Sequence, residues 1–368
     1  MIDGRPPRDS PIQPSFEATR RAWTPGAAAI TLKPRATRLR VSVLVMLLLV
    51  TVVVPAATDD CPELVGRWPY GPAYAVAQEG IFAYFGSGTT LLIADVSDPA
   101  SSEVVGNVAL PGVIRGVAVS GSHVYVAAWD AGLRVIDVST PASPIETSFV
   151  DTPGYAYGVA VSGSHAYVAD HSRGLRVIDV SAPASPIGVG HSDTPGEAYG
   201  VAVSGSYAYV AGDDGGLRVV DVSTPSSPFE VGLIDTPGEA WGEGWGVAAS
   251  GSYAFVADEV GLRVIDISNP AEPTEVGLAH TAQYAVGVAV SCCYAFVAIE
   301  YGGLRVIDLI DPRSPVEVGS TGAPGHTRSA TVAGAYVYVA DGEAGMEIFD
   351  ATSCALPAPR HVTGGRLP

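Results

Sequence analysis

One octet recurs through this chain and restricts the fold more than any other feature. Gly174-Leu175-Arg176-Val177-Ile178-Asp179-Val180-Ser181 returns almost unchanged from Gly132, Gly216 and Gly261. Degraded copies open at Gly303 and Gly345, and a more distant one occupies residues 91–97. Its aspartate falls at Asp95, Asp137, Asp179, Asp221, Asp266, Asp308 and Asp350, in steps of 42, 42, 42, 45, 42 and 42 residues. A fixed period of this length means a repeat architecture, in which each copy buries its apolar surface only against its neighbours.

One copy, residues 157–200, shows what the unit is. Gly158-Val159-Ala160-Val161-Ser162 and His165-Ala166-Tyr167-Val168-Ala169 are short apolar runs separated by a Gly163-Ser164 turn. A polar loop leads to residues 175–180, rich in β-branched side chains, which favour strands. Pro183 and Pro186 exclude the following connection from a ladder interior, and residues 187–191 form a fourth run. Four short strands per copy with no helical period describe one blade of a β-propeller. The predicted fold is therefore all-β: a seven-bladed β-propeller of four-stranded blades over residues 58–354.

The seventh copy lacks a fourth strand. Cys61-Pro62-Glu63-Leu64-Val65-Gly66 aligns with Ser185-Pro186-Ile187-Gly188-Val189-Gly190, which is fourth-strand sequence. An N-terminal strand is thus expected to complete the last blade, close the ring and remove two open edges. The same alignment places Cys354 on Pro183 and Cys61 on Ser185, two residues apart along one connection. A Cys61–Cys354 disulfide is expected there; the alternative is two unrelated thiols. Cys292 and Cys293 replace the Gly-Ser turn of blade six. Two free thiols are expected there, because a vicinal bridge is strained.

Charge excludes some partners. Residues before Ala57 carry eight basic and three acidic side chains, leaving 12 basic and 35 acidic in the remainder. Nucleic acid and anionic lipid surfaces need the opposite balance. The basic segment belongs to a leader, residues 1–57. Its arginines precede an apolar run at 41–54 and the small residues Ala56 and Ala57, the pattern of a secretory signal peptide. Fourteen residues reach only ~21 Å as a helix, short of a ~30 Å hydrocarbon core. Cleavage would leave no membrane-inserted segment; an uncleaved signal-anchor is the alternative. Residues 355–368 read as a flexible tail.

The octet Leu-Arg-Val-Ile-Asp-Val-Ser resembles the LVIVD repeat of bacterial and archaeal surface proteins, over residues 61–354. The resemblance implies a β-propeller that is secreted or held at the cell surface. It implies no particular reaction, because the family is known by its repeat.

In a propeller, the loops between blades and those joining second to third strands gather on one face around the central channel, where ligand sites are expected. Just before the successive first strands stand Tyr74, Arg115, Tyr157, Tyr199, Trp245, Val286 and Arg328. The second-to-third loops add Trp129, Asp130, Asp170, His171, Asp213, Asp214, Asp258, Glu259, Glu300, Tyr301, Asp341 and Glu343. The insertion behind the 45-residue step adds Trp241 beside Trp245, a candidate sugar-stacking platform. Acids and aromatics together suit a sugar, a cationic ligand or a peptide. The alternative is that the aromatics pack between blades and the acids cap turns.

The repeated aspartates, each before a Ser- and Pro-rich turn, are expected in Asx turns. Arg134, Arg176, Arg218, Arg263 and Arg305 share one strand position and are expected to tie neighbouring blades together through carboxylates. His171, His280 and His326 are too dispersed to predict a zinc site. No cofactor or metal is called for, and no Ser-His-Asp, nucleotide-loop or calcium-loop motif occurs. The first expectation is an exported, monomeric, non-enzymatic binding or adhesion module for carbohydrate or protein. It would use Tyr74, Arg115, Tyr157, Tyr199, Trp241, Trp245, Arg328, Asp213, Asp214, Asp258 and Glu259. The alternatives are a polysaccharide hydrolase or lyase using carboxylates at the channel mouth, or a ligand-free scaffold.

Overall fold

The computed structural model describes residues 61–212, 216–236, 246–352 and 354. The leader 1–57 with its 41–54 run, the tail 355–368, and Asp213, Asp214, Trp241 and Trp245 lie outside them. The described strands form seven four-stranded antiparallel sheets, six of them with strands in simple sequence order. Blade three is representative, with strands Gly158–Ser162, His165–Ala169, Leu175–Asp179 and Ile187–Ser192. First strands of adjacent blades touch around the whole circle, blade seven against blade one included, so the ring is closed.

Local chemistry sets the turns. The first-to-second turn needs a left-handed residue, and Gly163 supplies it at φ +59° without a Cβ penalty. Cys292 takes the same conformation in blade six at φ +52°. Each third strand ends in an Asx turn: the carboxylates of Asp95, Asp137, Asp179, Asp221, Asp266, Asp308 and Asp350 each accept from the backbone N–H two residues on. The side-chain hydroxyl of the serine two residues on, and after it that backbone N–H, lower the pKa of Asp95, Asp137, Asp179, Asp221 and Asp266.

The core lies between blades. Each buried apolar cluster joins two neighbours, as where Tyr125, Leu133 and Val135 of blade two meet Val168 and Ile178 of blade three. At the outer edge, fourth-strand glycines seat the proline-rich connection of the next blade. A Cβ on Gly190 would intrude on the Pro225 carbonyl, whereas a Cβ on Gly188 would meet nothing within 4 Å.

Ring closure follows the expected route. Glu63–Trp68 pairs with Met346–Asp350, from Glu63 opposite Asp350 to Trp68 opposite Met346. Cys61 and Cys354 are bonded, with Cα atoms 4.9 Å apart, and both are buried. The bond closes a sequence separation of 293 residues. Loop-closure entropy puts a ceiling of ~5–6 kcal/mol on its contribution. Cys292 and Cys293 are free thiols with sulfurs 3.5 Å apart.

Among the described residues, the repeated arginines pair within their own blade or with the connection that leaves it, and not across blades as expected. Arg134, Arg218, Arg263 and Arg305 pair with Glu146, Glu230, Glu275 and Glu317 on the fourth strand of their own blade. Arg176 turns to Asp170, also in its own blade, and to Asp193 in the connection that leaves it. The reason is register: in blade two Arg134 lies opposite Phe149 while Glu146 lies opposite Ile136, two residues along the same face, so arginine and glutamate meet diagonally across the third and fourth strands. Among the described residues, backbone bridges add to the apolar packing at three of the seven junctions. Trp129 and Ala156 exchange both N–H···O bonds at 3.1 and 2.9 Å, as do His171 with Ala198 and Gly342 with Ala73.

Candidate functional site

The first strands converge on a central channel of about 300 Å³. A glycine opens the first strand of blades two and three, and there is no room for more. A Cβ on Gly116 or Gly158 would stand 2.6 Å from the backbone oxygen of Tyr157 or Tyr199 in the next blade. This close approach brings the residue before each glycine to the channel wall. Tyr74, Arg115, Tyr157, Tyr199, Val286 and Arg328 all line it, above a sleeve of Val117, Val159, Val201, Val247 and Val288.

The mouth residues touch one another in sequence around an arc. Arg328 and Arg115 both approach the Tyr74 ring, 5.9 and 4.6 Å from its centroid. Arg115 also reaches the Tyr157 ring at 5.4 Å, and Tyr157 meets Tyr199 edge-on at 4.9 Å. Cation–π contact of this kind holds a guanidinium in place. Arg328 Nη1 pairs with Glu300 at 3.3 Å.

His171 extends the arc outward. Its backbone is left-handed, φ +49°, because it bridges to Ala198. The ring stacks on Tyr157 and meets Tyr199 edge-on, both at 5.4 Å. Its Nε2 lies 3.0 Å from Glu197, whose carboxylate also accepts from the Tyr199 hydroxyl at 2.7 Å. Trp129, also left-handed, stacks on Tyr155, which in turn contacts His171. Tyr155 and Glu197 were not singled out from sequence. Their signal was adjacency to the Tyr157-Gly158 and Tyr199-Gly200 pairs.

The loop acids behave differently. Asp170 accepts from Gly154 N–H and pairs with Arg176. Asp258 accepts from the N–H groups of Val260 and Gly261 at 2.8 and 3.0 Å and pairs with Arg263. Asp341 accepts from Gly325 N–H and the Thr327 hydroxyl, both at 2.8 Å. All three are buried. The structure places neither Asp258 nor Glu259 among the residues lining the channel. The alternative reading of these acids, as turn caps, describes Asp170, Asp258 and Asp341. Among the described residues no three His, Cys, Asp or Glu side chains gather to hold a metal ion. His326 packs edge-on against Tyr301 at 4.5 Å.

Burial, and after it the neighbouring Asp341 carboxylate, raise the pKa of Glu347 to about 7 against the opposing charge of Arg67. Glu347 is 1 % exposed and lies inside blade seven, not on the channel. It occupies the third-strand position that holds arginine in blades two to six, a signal present in the sequence.

A family model described as LVIVD repeat matches residues 70–109, 111–152, 153–194, 195–236, 241–281, 282–322 and 324–353. No curated protein matches the chain. Among solved structures, the chain is similar to the Cps50 (Swd1) beta-propeller domain of Myceliophteria thermophila. The TM-score is 0.65 at 13% identity, covering 79% of this chain and 100% of that one. It is also similar to the computationally designed Ika8 protein, with a TM-score of 0.55 at 11% identity, covering 78% and 98%. Likeness at these identities concerns the fold alone.

Proposed function

The chain belongs to the LVIVD-repeat family, and from that premise we propose that it is an exported, monomeric, non-enzymatic recognition module whose ligand seats at the mouth of the central channel. The observation that carries this reading is the continuous arc of Arg328, Tyr74, Arg115, Tyr157 and Tyr199 on the channel wall. Aromatic faces beside fixed polar groups in a preformed concavity are what a binding site needs. The acids that hydrolysis would require point the other way. A glycosidase needs two carboxyls facing one substrate, with one pKa raised. Here Asp170, Asp258 and Asp341 hold turns, and the strongly raised carboxyl, Glu347, has no access to the channel.

Export is supported by the leader pattern and by the Cys61–Cys354 bond, since structural disulfides persist in oxidising compartments. The ligand is a carbohydrate or a protein outside the cell. The test is a glycan-array and pull-down comparison of the full chain with a Tyr157→Ala/Tyr199→Ala variant. Binding that disappears in the variant supports the mouth as the site. Binding that survives unchanged keeps the recognition role but removes the site from the channel. No binding to any glycan or protein probe leaves the scaffold reading in its place.

A further inference from the structure

We propose that the Cys292–Cys293 turn of blade six is a dithiol site that takes a trivalent arsenical, R–As(OH)2. The pair lies outside the channel site, at the far end of the strand Ala285–Ser291, whose start supplies Val286 to the channel wall. In the six other blades the same turn opens with a left-handed glycine, at Gly80, Gly121, Gly163, Gly205, Gly251 and Gly334. Cys292 alone holds that conformation, φ +52°, with a side chain attached. An L residue is disfavoured there, so the turn keeps a backbone strain that glycine would remove. The strain puts a thiol where it can be reached. A Cβ on any of the six glycines would meet nothing within 4 Å, and Cys292 is exposed.

Cys293 is anchored. Its carbonyl accepts from the Leu309 N–H at 2.7 Å, and its side chain packs half-buried against the apolar cluster that joins Tyr294 of blade six to Val337 of blade seven. Its S–H donates to Cys292 Sγ at 3.5 Å. With sulfur bonds of ~2.3 Å, the length zinc thiolates make, a 3.5 Å separation subtends ~100° at a shared centre. That angle suits a pyramidal three-coordinate centre and not a linear two-coordinate ion. Two thiols are also all the turn offers, since among the described residues no three His, Cys, Asp or Glu side chains gather. A structural zinc ion needs four ligands; an arsenical brings its own third substituent. Burial, and after it the Cys292 thiol and the Asp308 carboxylate, push the Cys293 thiol up. It is therefore held as the neutral thiol that condenses with As–OH, and not as the thiolate that metal ions and oxidants take. In the condensation each S–H gives its proton to an arsenic hydroxyl, which leaves as water while an As–S bond forms. Two waters are released for two As–S bonds, arsenic stays trivalent, and no oxidant or reductant is needed.

The experiment titrates the full chain with phenylarsonous acid, without reductant so that Cys61–Cys354 stays joined, and reads intact mass. Wild type should take up one phenylarsenic group. Displacing it with 2,3-dimercaptopropanol should need at least ~100-fold more competitor than for Cys292→Gly or Cys293→Ser, because the second As–S bond closes within one molecule. Cys292→Gly restores the turn residue of the other blades, so its urea midpoint should not fall, and its weaker uptake then reports the thiol and not unfolding. The double variant Cys292→Gly/Cys293→Ser, which recreates the Gly-Ser turn of blades two to five, should take up none. No uptake by wild type, or a single variant that holds the group as tightly, overturns the proposal. Uptake that survives in the double variant overturns it as well, since the group would then sit on Cys61 or Cys354. Wild-type thiols that fail to alkylate with iodoacetamide also overturn it, because the pair would already be joined. Zinc held more tightly than the arsenical overturns the ligand class.

Discussion

Blade seven should make the fold less stable as pH rises, and Glu347 is the reason. In blades three and five a buried aspartate faces the repeated arginine, Asp170 with Arg176 and Asp258 with Arg263. Blade seven keeps the aspartate, Asp341, but puts Glu347 in place of the arginine. The compensating cation, Arg67, arrives on the closing N-terminal strand, with its Nε 3.4 Å from a Glu347 oxygen and its side chain 41% exposed. Neither Glu347 oxygen accepts a hydrogen bond in the structure. Burial and Asp341 therefore outweigh Arg67 and raise the carboxyl from an ordinary 4.5 to about 7. Asp341 is raised too, by burial, against hydrogen bonds from Thr327 and Gly325 and the fields of Arg67 and His326. The sign follows from linkage. Below 4.5 Glu347 is protonated in both states; between 4.5 and about 7 only the unfolded chain loses the proton, and each unit removes ~1.4 kcal/mol of stability. Urea unfolding of wild type and Glu347→Gln at about pH 5 and about pH 8 reads this directly, because Gln cannot ionise. The variant should gain ~2–3 kcal/mol on wild type between the two conditions. A difference near zero, or a gain by wild type, would mean that Glu347 is ionised and paired with Arg67 in the folded state.

Other substitutions test the packing and the closure. Replacing Cys61 and Cys354 together by serine should cost ~2–5 kcal/mol, seen as a lower denaturant midpoint that reducing agent no longer shifts. Gly190→Ala should destabilise by ~1–3 kcal/mol through the Pro225 carbonyl, while Gly188→Ala should be within ~0.5 kcal/mol of wild type; equal effects would refute the seating of the next blade. Arg263→Gln strands the buried Asp258 and should cost ~3–5 kcal/mol, whereas Arg305→Gln, whose partner Glu317 is exposed, should cost under ~1 kcal/mol. Chemical unfolding of the two variants side by side checks the ranking.

The ring itself was legible because its causes are local and repeated. A 42-residue step, β-branched octets, Gly-Ser turns and Asp before Ser-Pro connections each specify one piece of a blade, and the two cysteines mark where the circle closes. The mouth residues were legible for the same reason, since Tyr74, Arg115, Tyr157, Tyr199 and Arg328 precede the first strands in phase. Direction was harder to read. Asp258 and Tyr199 both belong to loops on the channel face, but a tight turn points one at backbone N–H groups while the next blade's approach puts the other on the channel wall. The arginines had carboxylates within reach both in their own blade and in the connections, and only the strand pairing decided between them. Glu347 needed the same step: its burial follows from the arginine position it occupies, and its raised pKa from Asp341, which no spacing rule pairs with it.

The most direct measurement is hydrogen–deuterium exchange of the full chain with and without a saturating glycan or protein ligand selected by the array and pull-down. Occupation of the channel mouth predicts slowed exchange at residues 74–77, 115–117, 157–159, 199–201 and 328–331, which line the wall, with the outer strands unchanged. Protection confined to the outer rim of blades two to four, where Ile145, Phe149, Ile187, Phe229 and Leu233 are exposed, would contradict it, as would no protection anywhere.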